Sequence, residues 1–308
     1  MKTIVTISIN PAIDKSSSVE HVVAERKLYC ELPRFEPGGG GVNVSRAIGK
    51  LGGESTLLYT VGGLTGKRLQ ELLNAEKLAH RPFPIEGSTR ENLVVLEETT
   101  GQQYRFGMPG PELTKKELEQ FLQEISDIEP APDFLVASGS LPSGVPVDFF
   151  AQVARIGKNK GAKTIIDASG EAMEKALQEG VYLIKPNVRE FRELVGKDIS
   201  EEAQIKAEAQ KMIKSVQCEV LVISLGVAGA LMVSEENVDH ILPPTVPIVS
   251  KVGAGDSMVA GIVLSLARGK PLRESIYFGV AAGAAAVMTP GTELCRREDA
   301  ERLFENMM

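Results

Sequence analysis

The chain has 308 residues, 43% hydrophobic and 24% charged, with a net charge of −7. This is a globular composition, large enough to bury a core without disulfides and compatible with one or two domains. The acidic balance argues against nucleic acid as a partner, and no stretch approaches the ~20 apolar residues of a membrane helix. Cys30, Cys218 and Cys295 lack metal-ligand spacing, and the opening MKTIVTISIN lacks the apolar core of a secretion signal. The expectation is a reduced, cytoplasmic protein.

Residues 4–9 open the chain as a short, continuous apolar strand. Residues 12–35 then alternate like extended chain with no covering helix. A helix is expected at 42–51, a strand at 56–61 and a helix at 67–73. Residues 89–107 read as a hairpin, with strands at 92–98 and 103–107 about a turn at 99–102. Beyond it come a helix at 115–125, a strand at 134–137, a helix at 147–159 and strands at 164–167 and 182–184. A helix at 201–216 and a strand at 220–224 follow. Continuous apolar strands alternating with amphipathic helices predict a mostly parallel sheet flanked by helices, an α/β fold. Ligands bind such folds at the carboxyl ends of the strands. The two extended segments are expected to form a small β-sheet lid, with two separate surface hairpins as the alternative. The division is therefore 1–11, 36–88 and 108–308 for the α/β domain, and 12–35 with 89–107 for the lid. A sheet this small must cover its apolar face, and a second copy of the same sheet is the economical cover, which predicts a homodimer.

Four segments carry chemistry. In Val252-Gly253-Ala254-Gly255-Asp256-Ser257 a small-residue turn opens a helix with a carboxylate in its first turn. Unpaired N–H groups at such a terminus bind anions, and Asp256 is placed to take a proton from an attacking hydroxyl. A plain N-capping Asp is the alternative. Residues Gly38 to Gly41 precede Asn43, whose amide is suited to sugar hydroxyls, while a flexible loop is the alternative. Asp14 follows the first strand at the same edge. In Lys185-Pro186-Asn187-Val188-Arg189-Glu190 the spacing of Asn187 and Glu190 suits a hydrated Mg²⁺ and equally an Asn-x-x-Glu capping box. Ser224, Gly226 and Gly229 form a small-residue turn after a strand. Residues 62–68 have the wrong spacing for a phosphate loop, and no dinucleotide fingerprint follows the first strand. His21, His80 and His240 are scattered and read as surface residues.

Across essentially its whole length the chain resembles the ribokinase-like carbohydrate kinases of the phosphofructokinase B family. GGGGVNVSRAI matches the family's N-terminal signature and KVGAGDSMVAG its C-terminal one, and SGSLPSGVP and DASGEA add to the likeness. The resemblance implies a doubly wound, mostly parallel sheet with a β lid that also forms the dimer interface. It implies an ATP-dependent, Mg²⁺-requiring sugar-phosphate kinase acting on fructose 6-phosphate, with fructose 1-phosphate and tagatose 6-phosphate as alternative substrates. A non-catalytic sugar-phosphate-binding regulator is the alternative from another class. Residue by residue, the resemblance makes Asp256 the base and Gly253, Ala254 and Gly255 the anion hole. It assigns Asp14, Gly39, Asn43 and Ser140 to the sugar, and Lys27, Arg90 and Arg105 to its phosphate. The forked guanidinium suits that last role. Lys185, Asn187, Ser224, Gly226, Gly229, Gly283 and Ala286 are implied to line the ATP site, with Asn187 and Glu190 supporting Mg²⁺. A K⁺ site would draw on Ser250, Val252, Ala286, Thr289, Gly291 and Glu293, mostly through carbonyls. Lys251 departs from the pattern, standing where a small hydroxyl residue is expected.

Overall fold

The computed structural model describes residues 2–199, 201–215 and 217–308. Among them, nine strands form one sheet: β1 (Ile4–Ser8), β4 (Thr56–Val61), β5 (Ala79–Pro84), β8 (Phe134–Ser138), β9 (Lys163–Asp167), β10 (Val181–Ile184), β11 (Cys218–Ser224), β12 (Ala230–Ser234) and β13 (Val238–Ile241). Their order is β13-β12-β11-β10-β9-β8-β1-β4-β5. From β11 to β5 every pairing is parallel, and β12 and β13 extend that edge antiparallel. Every residue of β1, β8 and β10 is buried, as strands covered on both faces require. The chain winds outward from β1 in one direction through β4 and in the other through β8. The switch point of this doubly wound sheet therefore lies between β1 and β8.

Alternation within each strand feeds two cores. Ile4, Phe134, Val136 and Ile165 pack on one face with α1 (Gly40–Lys50), α8 (Ala254–Ala267), α9 (Leu272–Val287) and α10 (Arg297–Met307). Val5, Ile7, Leu135 and Ile166 pack on the other with α3 (Lys115–Ser126), α4 (Phe149–Asn159), α5 (Glu171–Gln178), α6 (Val188–Val195) and α7 (Glu202–Lys214). The helix expected over 201–216 is α7, and Val216 lies outside the described residues.

A separate four-stranded sheet has the order β3-β2-β6-β7, from β2 (Ala12–Val19), β3 (Arg34–Gly38), β6 (Arg90–Glu97) and β7 (Gln103–Phe106). It reaches three residues past the expected boundary at 35, because β3 runs into the glycine stretch and ends on Gly38. Residues 20–33 carry no strand. Ile13 and Phe35 anchor this sheet to α2 (Gly63–Ala75) through Leu69 and Leu73. The register places Asp14 beside Asn92 and Glu36, Ala12 beside Arg90 and Gly38, and Val94 beside Arg105. With a period of two, Glu36, Asp14, Ser16, Arg90, Asn92, Gln103 and Arg105 therefore share one face. Gln103 Oε1 on that face lies 3.4 Å from Ser250 Oγ, so the face looks onto the main domain.

Candidate active site

The carboxyl ends of β8, β9, β10 and β11 deliver Ser138, Asp167, Lys185 and Ser224 to a cavity of about 480 Å³. Gly40 at the start of α1 and Gly255 and Asp256 at the start of α8 close its other side, with Ser140, Asn187 and Glu190 on the rim. Contact forces Gly40 to be glycine and crowds Gly255. A Cβ on Gly40 would stand 2.4 Å from Ser138 Oγ, and one on Gly255 would stand 3.2 Å from Lys185 Nζ. Gly253, the N-cap of α8, has φ +74°, and Leu294 packs where its side chain would be. Only glycine meets both conditions without strain. The turn therefore presents the unpaired amides of α8 and Asp256 together.

Asp256 is half-buried and accepts a hydrogen bond from Asn43 Nδ2 at 2.9 Å. Its carboxyl is pushed up to about 6, chiefly by burial and then by the negative charge of Asp167. Asn43 and the Lys185 ammonium pull it back. The ammonium lies 3.4 Å from Asp167 Oδ1. Burial alone drives Lys185 down, but Asp167, Asp256 and Glu190 outweigh it, so Lys185 is raised and cationic. A carboxylate tuned toward neutrality beside a fixed ammonium and a helix N-terminus is the arrangement expected of a general base serving a transfer between anions.

On the small sheet, Asp14 is 6% exposed and accepts from Asn92 Nδ2 at 2.8 Å. Burial raises its carboxyl, against the pull of Asn92, Arg46 and Arg90. Arg90 donates to the carbonyls of Asn10 and Met108, each at 3.0 Å, while its buried Nε has no partner among the described residues. Asn10 also donates to Ser140 Oγ at 3.1 Å, joining the two sides of the switch point. Gly39, with φ +99°, caps α1 against the backbone of Asn10 and Pro11.

Other expected residues fall in different places. Lys27 is not brought to the cavity; it is exposed, with its ammonium 5.1 Å from the Tyr29 ring. Arg105 is exposed on β7. Asn187 and Glu190 form a reciprocal capping box at the start of α6, with bonds of 2.8 and 2.9 Å. Glu190 Oε2 and Asn187 Oδ1 are thus engaged by backbone, and among the described residues no group of three or more His, Cys, Asp or Glu is placed to hold a metal. Gly226 and Gly229 lie beyond β11 with left-handed φ, and Gly283 packs on α8 beside the Ala254 carbonyl. Ser250 donates to the Gly291 carbonyl at 3.0 Å, and Thr289 to that of Ala286 at 2.8 Å. The Val252 amide donates to Ser250 Oγ at 3.2 Å, but Glu293 is paired with Arg296 at 2.8 Å. Lys251 is exposed. His21 is exposed, whereas His80 is half-buried against the Tyr59 hydroxyl and His240 half-buried against the Ala228 carbonyl.

Sequence reasoning missed Asp167 as a site residue. Its signal was a carboxylate closing the buried run Ile165-Ile166 at the ligand edge. A larger cavity, about 1010 Å³, lies at the amino ends of β1, β4 and β5. It collects none of the expected site residues and lies at the wrong end of a parallel sheet for a ligand.

Comparison with known proteins accords with this geometry. The model of the pfkB family carbohydrate kinases matches residues 1–299. This chain belongs to the pfkB family of carbohydrate kinases. The ATP-dependent 6-phosphofructokinase isozyme 2 of Mycobacterium tuberculosis is 44% identical over 302 residues, covering 98% of this chain and 89% of that protein. The crystal structure of phosphofructokinase-2 from Escherichia coli in complex with fructose-6-phosphate superposes with a TM-score of 0.94. That protein is 39% identical, and the match covers 100% of this chain and 99% of the other. A 1-phosphofructokinase of Bacillus subtilis is more distant, 31% identical over 292 residues, covering 94% of this chain and 95% of that protein. As a family member the chain is a phosphotransferase acting on an alcohol, with the α/β fold of a pfkB kinase.

Proposed function

We propose that the chain transfers the γ-phosphoryl group of ATP to the C1 hydroxyl of fructose 6-phosphate, giving fructose 1,6-bisphosphate and ADP. The observation that carries this reading is the Asn43–Asp256–Lys185–Asp167 constellation at the glycine-opened start of α8. Asp256, raised to about 6, accepts the hydroxyl proton near neutral pH. Asn43 holds the carboxylate through one oxygen and leaves the other for the hydroxyl. The amides of Gly253, Ala254 and Gly255 face the charge that grows on the transferred group, and Lys185 adds a fixed positive charge beside them.

Asp14 and Asn92 present acceptor and donor groups to the sugar from the polar face of the small sheet. Arg90, with an unpartnered Nε, and Arg105 on the same face suit the substrate phosphate. The preference for fructose 6-phosphate over fructose 1-phosphate rests on the higher identity to 6-phosphofructokinase isozyme 2 than to 1-phosphofructokinase.

ATP fits the edge at Lys185, Asn187 and Ser224. Mg²⁺ bound with the nucleotide would neutralise phosphate charge. Asp167 and the free oxygen of Glu190 line the same cavity and supply the hard oxygen donors that a largely hydrated ion takes. The hydroxyl oxygens of Ser250 and Thr289 and the carbonyl oxygens of Gly291 and Ala286 to which they bond suit K⁺, and the pairing of the Glu293 side chain with Arg296 does not bear on a contribution from its carbonyl. Tyr29, Leu32, Phe106 and Met108 are exposed in or beside the small sheet, and a second copy of this chain is the proposed cover. Free cysteines suit a reducing compartment such as the cytoplasm. The test is turnover with ATP against fructose 6-phosphate, fructose 1-phosphate and tagatose 6-phosphate. Highest kcat/KM on fructose 6-phosphate supports the reading, and preference for either other sugar refutes the assigned substrate.

A further inference from the structure

Arg46 is the largest of the fully buried side chains, with only 2% of its surface exposed. A buried guanidinium is costly unless every donor is used, and here the donors reach three separate pieces of chain. Nε and Nη2 form a forked pair with Glu76 at the end of α2, the shortest contact being 2.6 Å. Nη1 donates to the Pro37 carbonyl of β3 at 2.8 Å and to the Thr292 carbonyl at 3.2 Å. Nη2 lies 3.6 Å from Glu36 Oε1. Glu36 in turn accepts from the Thr292 hydroxyl at 2.7 Å and its amide at 3.3 Å.

Both ends of this network lead to the reaction site. Glu36 and Pro37 precede Gly38, whose Cα packs so closely on Asp14 that a Cβ would fall 2.3 Å from Asp14 Oδ2. Thr292 precedes Leu294, a fully buried residue in the left-handed region with φ +68°. Such a backbone is costly for leucine and persists only where its surroundings impose it. Leu294 fills the space above Gly253, the N-cap of α8, and its carbonyl lies 2.9 Å from Thr289 Oγ1. On α1 itself, Arg46 lies three residues after Asn43, which holds Asp256.

We propose that Arg46 is a positioning residue which, through Glu36 and Thr292, keeps the sugar-facing sheet in register with the glycine turn of α8. It touches no reacting group. It sets the distance between the two halves of the site, the sugar held at Asp14 and the base at Asp256. The proposal rests on the kinase reading only for its kinetic arm.

The test uses the full-length protein with Thr292→Val, Glu36→Gln, their double variant and Arg46→Lys. Lysine keeps the charge but cannot bridge Glu76, Pro37 and Thr292 together. Thr292→Val is expected to lower kcat/KM for the sugar phosphate about tenfold, the worth of one charge-assisted hydrogen bond, with the KM for ATP little changed. The double variant should be no worse than the poorer single variant, because both break one link. Amide hydrogen exchange should rise in residues 34–38 as well as 289–295 in Thr292→Val, a readout that needs no turnover. Lower melting temperatures with unchanged kinetic constants, or exchange that rises only in residues 289–295, would overturn the proposal. Wild-type inactivity on fructose 6-phosphate would instead refute the substrate reading and leave the exchange result to decide this one.

Discussion

Replacing Asp256 by Asn should stabilise the protein while disabling it. The wild-type carboxyl has its pKa pushed up to about 6 from the ordinary 3.8, because burial and Asp167 disfavour the charged form. A carboxyl raised on folding binds more protons in the folded state between those two values, so stability falls as pH rises through them. Above about pH 6 the folded protein bears the whole penalty. A shift of about two pK units corresponds to about 3 kcal/mol, and about 1–3 kcal/mol allows for the part of the carboxyl that water reaches. Asn mimics the neutral acid and still accepts from Asn43 Nδ2. Urea unfolding at pH 8, at matched protein concentration, should therefore show Asp256→Asn more stable by about 1–3 kcal/mol, the advantage shrinking by roughly half at pH 5. A variant no more stable than wild type at pH 8 would refute the reasoning. So would a gain that does not shrink with acidification, since it would not arise from this titration.

The same electrostatics fix the pH–rate profile. Asp167→Asn removes a like charge and should move the acidic limb of kcat/KM to lower pH, whereas Lys185→Met removes a compensating one and should move it higher; limbs that stay in place would separate both groups from the base. Arg90→Ala should raise KM for the sugar phosphate about tenfold or more through loss of a charge-assisted contact, with KM for ATP nearly constant in the same initial-rate series. Specific activity should fall on dilution in step with dimer dissociation measured by sedimentation, and a fully active monomer would show that the small sheet needs no partner.

The parallel core was legible because its strands are short, continuous apolar runs that only a sheet covered on both faces can use. Strand β5 was not, since Pro82 and Pro84 in Ala79–Pro84 read as breakers; they are tolerated because β5 is the sheet's edge. The end of β3 was hidden for a related reason. Four glycines signal a loop, yet Gly38 closes a strand, and it is glycine because Asp14 leaves no room for a side chain. Asp256 and Asn43 were readable from the turns that precede them. Their direct bond was not, because it joins residues 213 positions apart. Asp167 escaped notice because one carboxylate after a strand is common and only the fold sets it beside Lys185. For Asn187 and Glu190, spacing allowed a metal site or a capping box; the structure forms the capping box through Glu190 Oε2 and keeps Glu190 in the cavity lining. Lys27 lies on the exposed segment between β2 and β3, so only a second copy of the chain could carry it to the site.

The central claim is that Asp256 takes the proton from the sugar hydroxyl during phosphoryl transfer, and the kcat of Asp256→Asn measures it most directly. With saturating ATP, Mg²⁺ and fructose 6-phosphate, kcat should fall by roughly 10²–10⁴-fold. Fructose 6-phosphate should still bind to the folded variant with an affinity close to that of wild type. Near-wild-type turnover by a correctly folded Asp256→Asn protein would contradict the account.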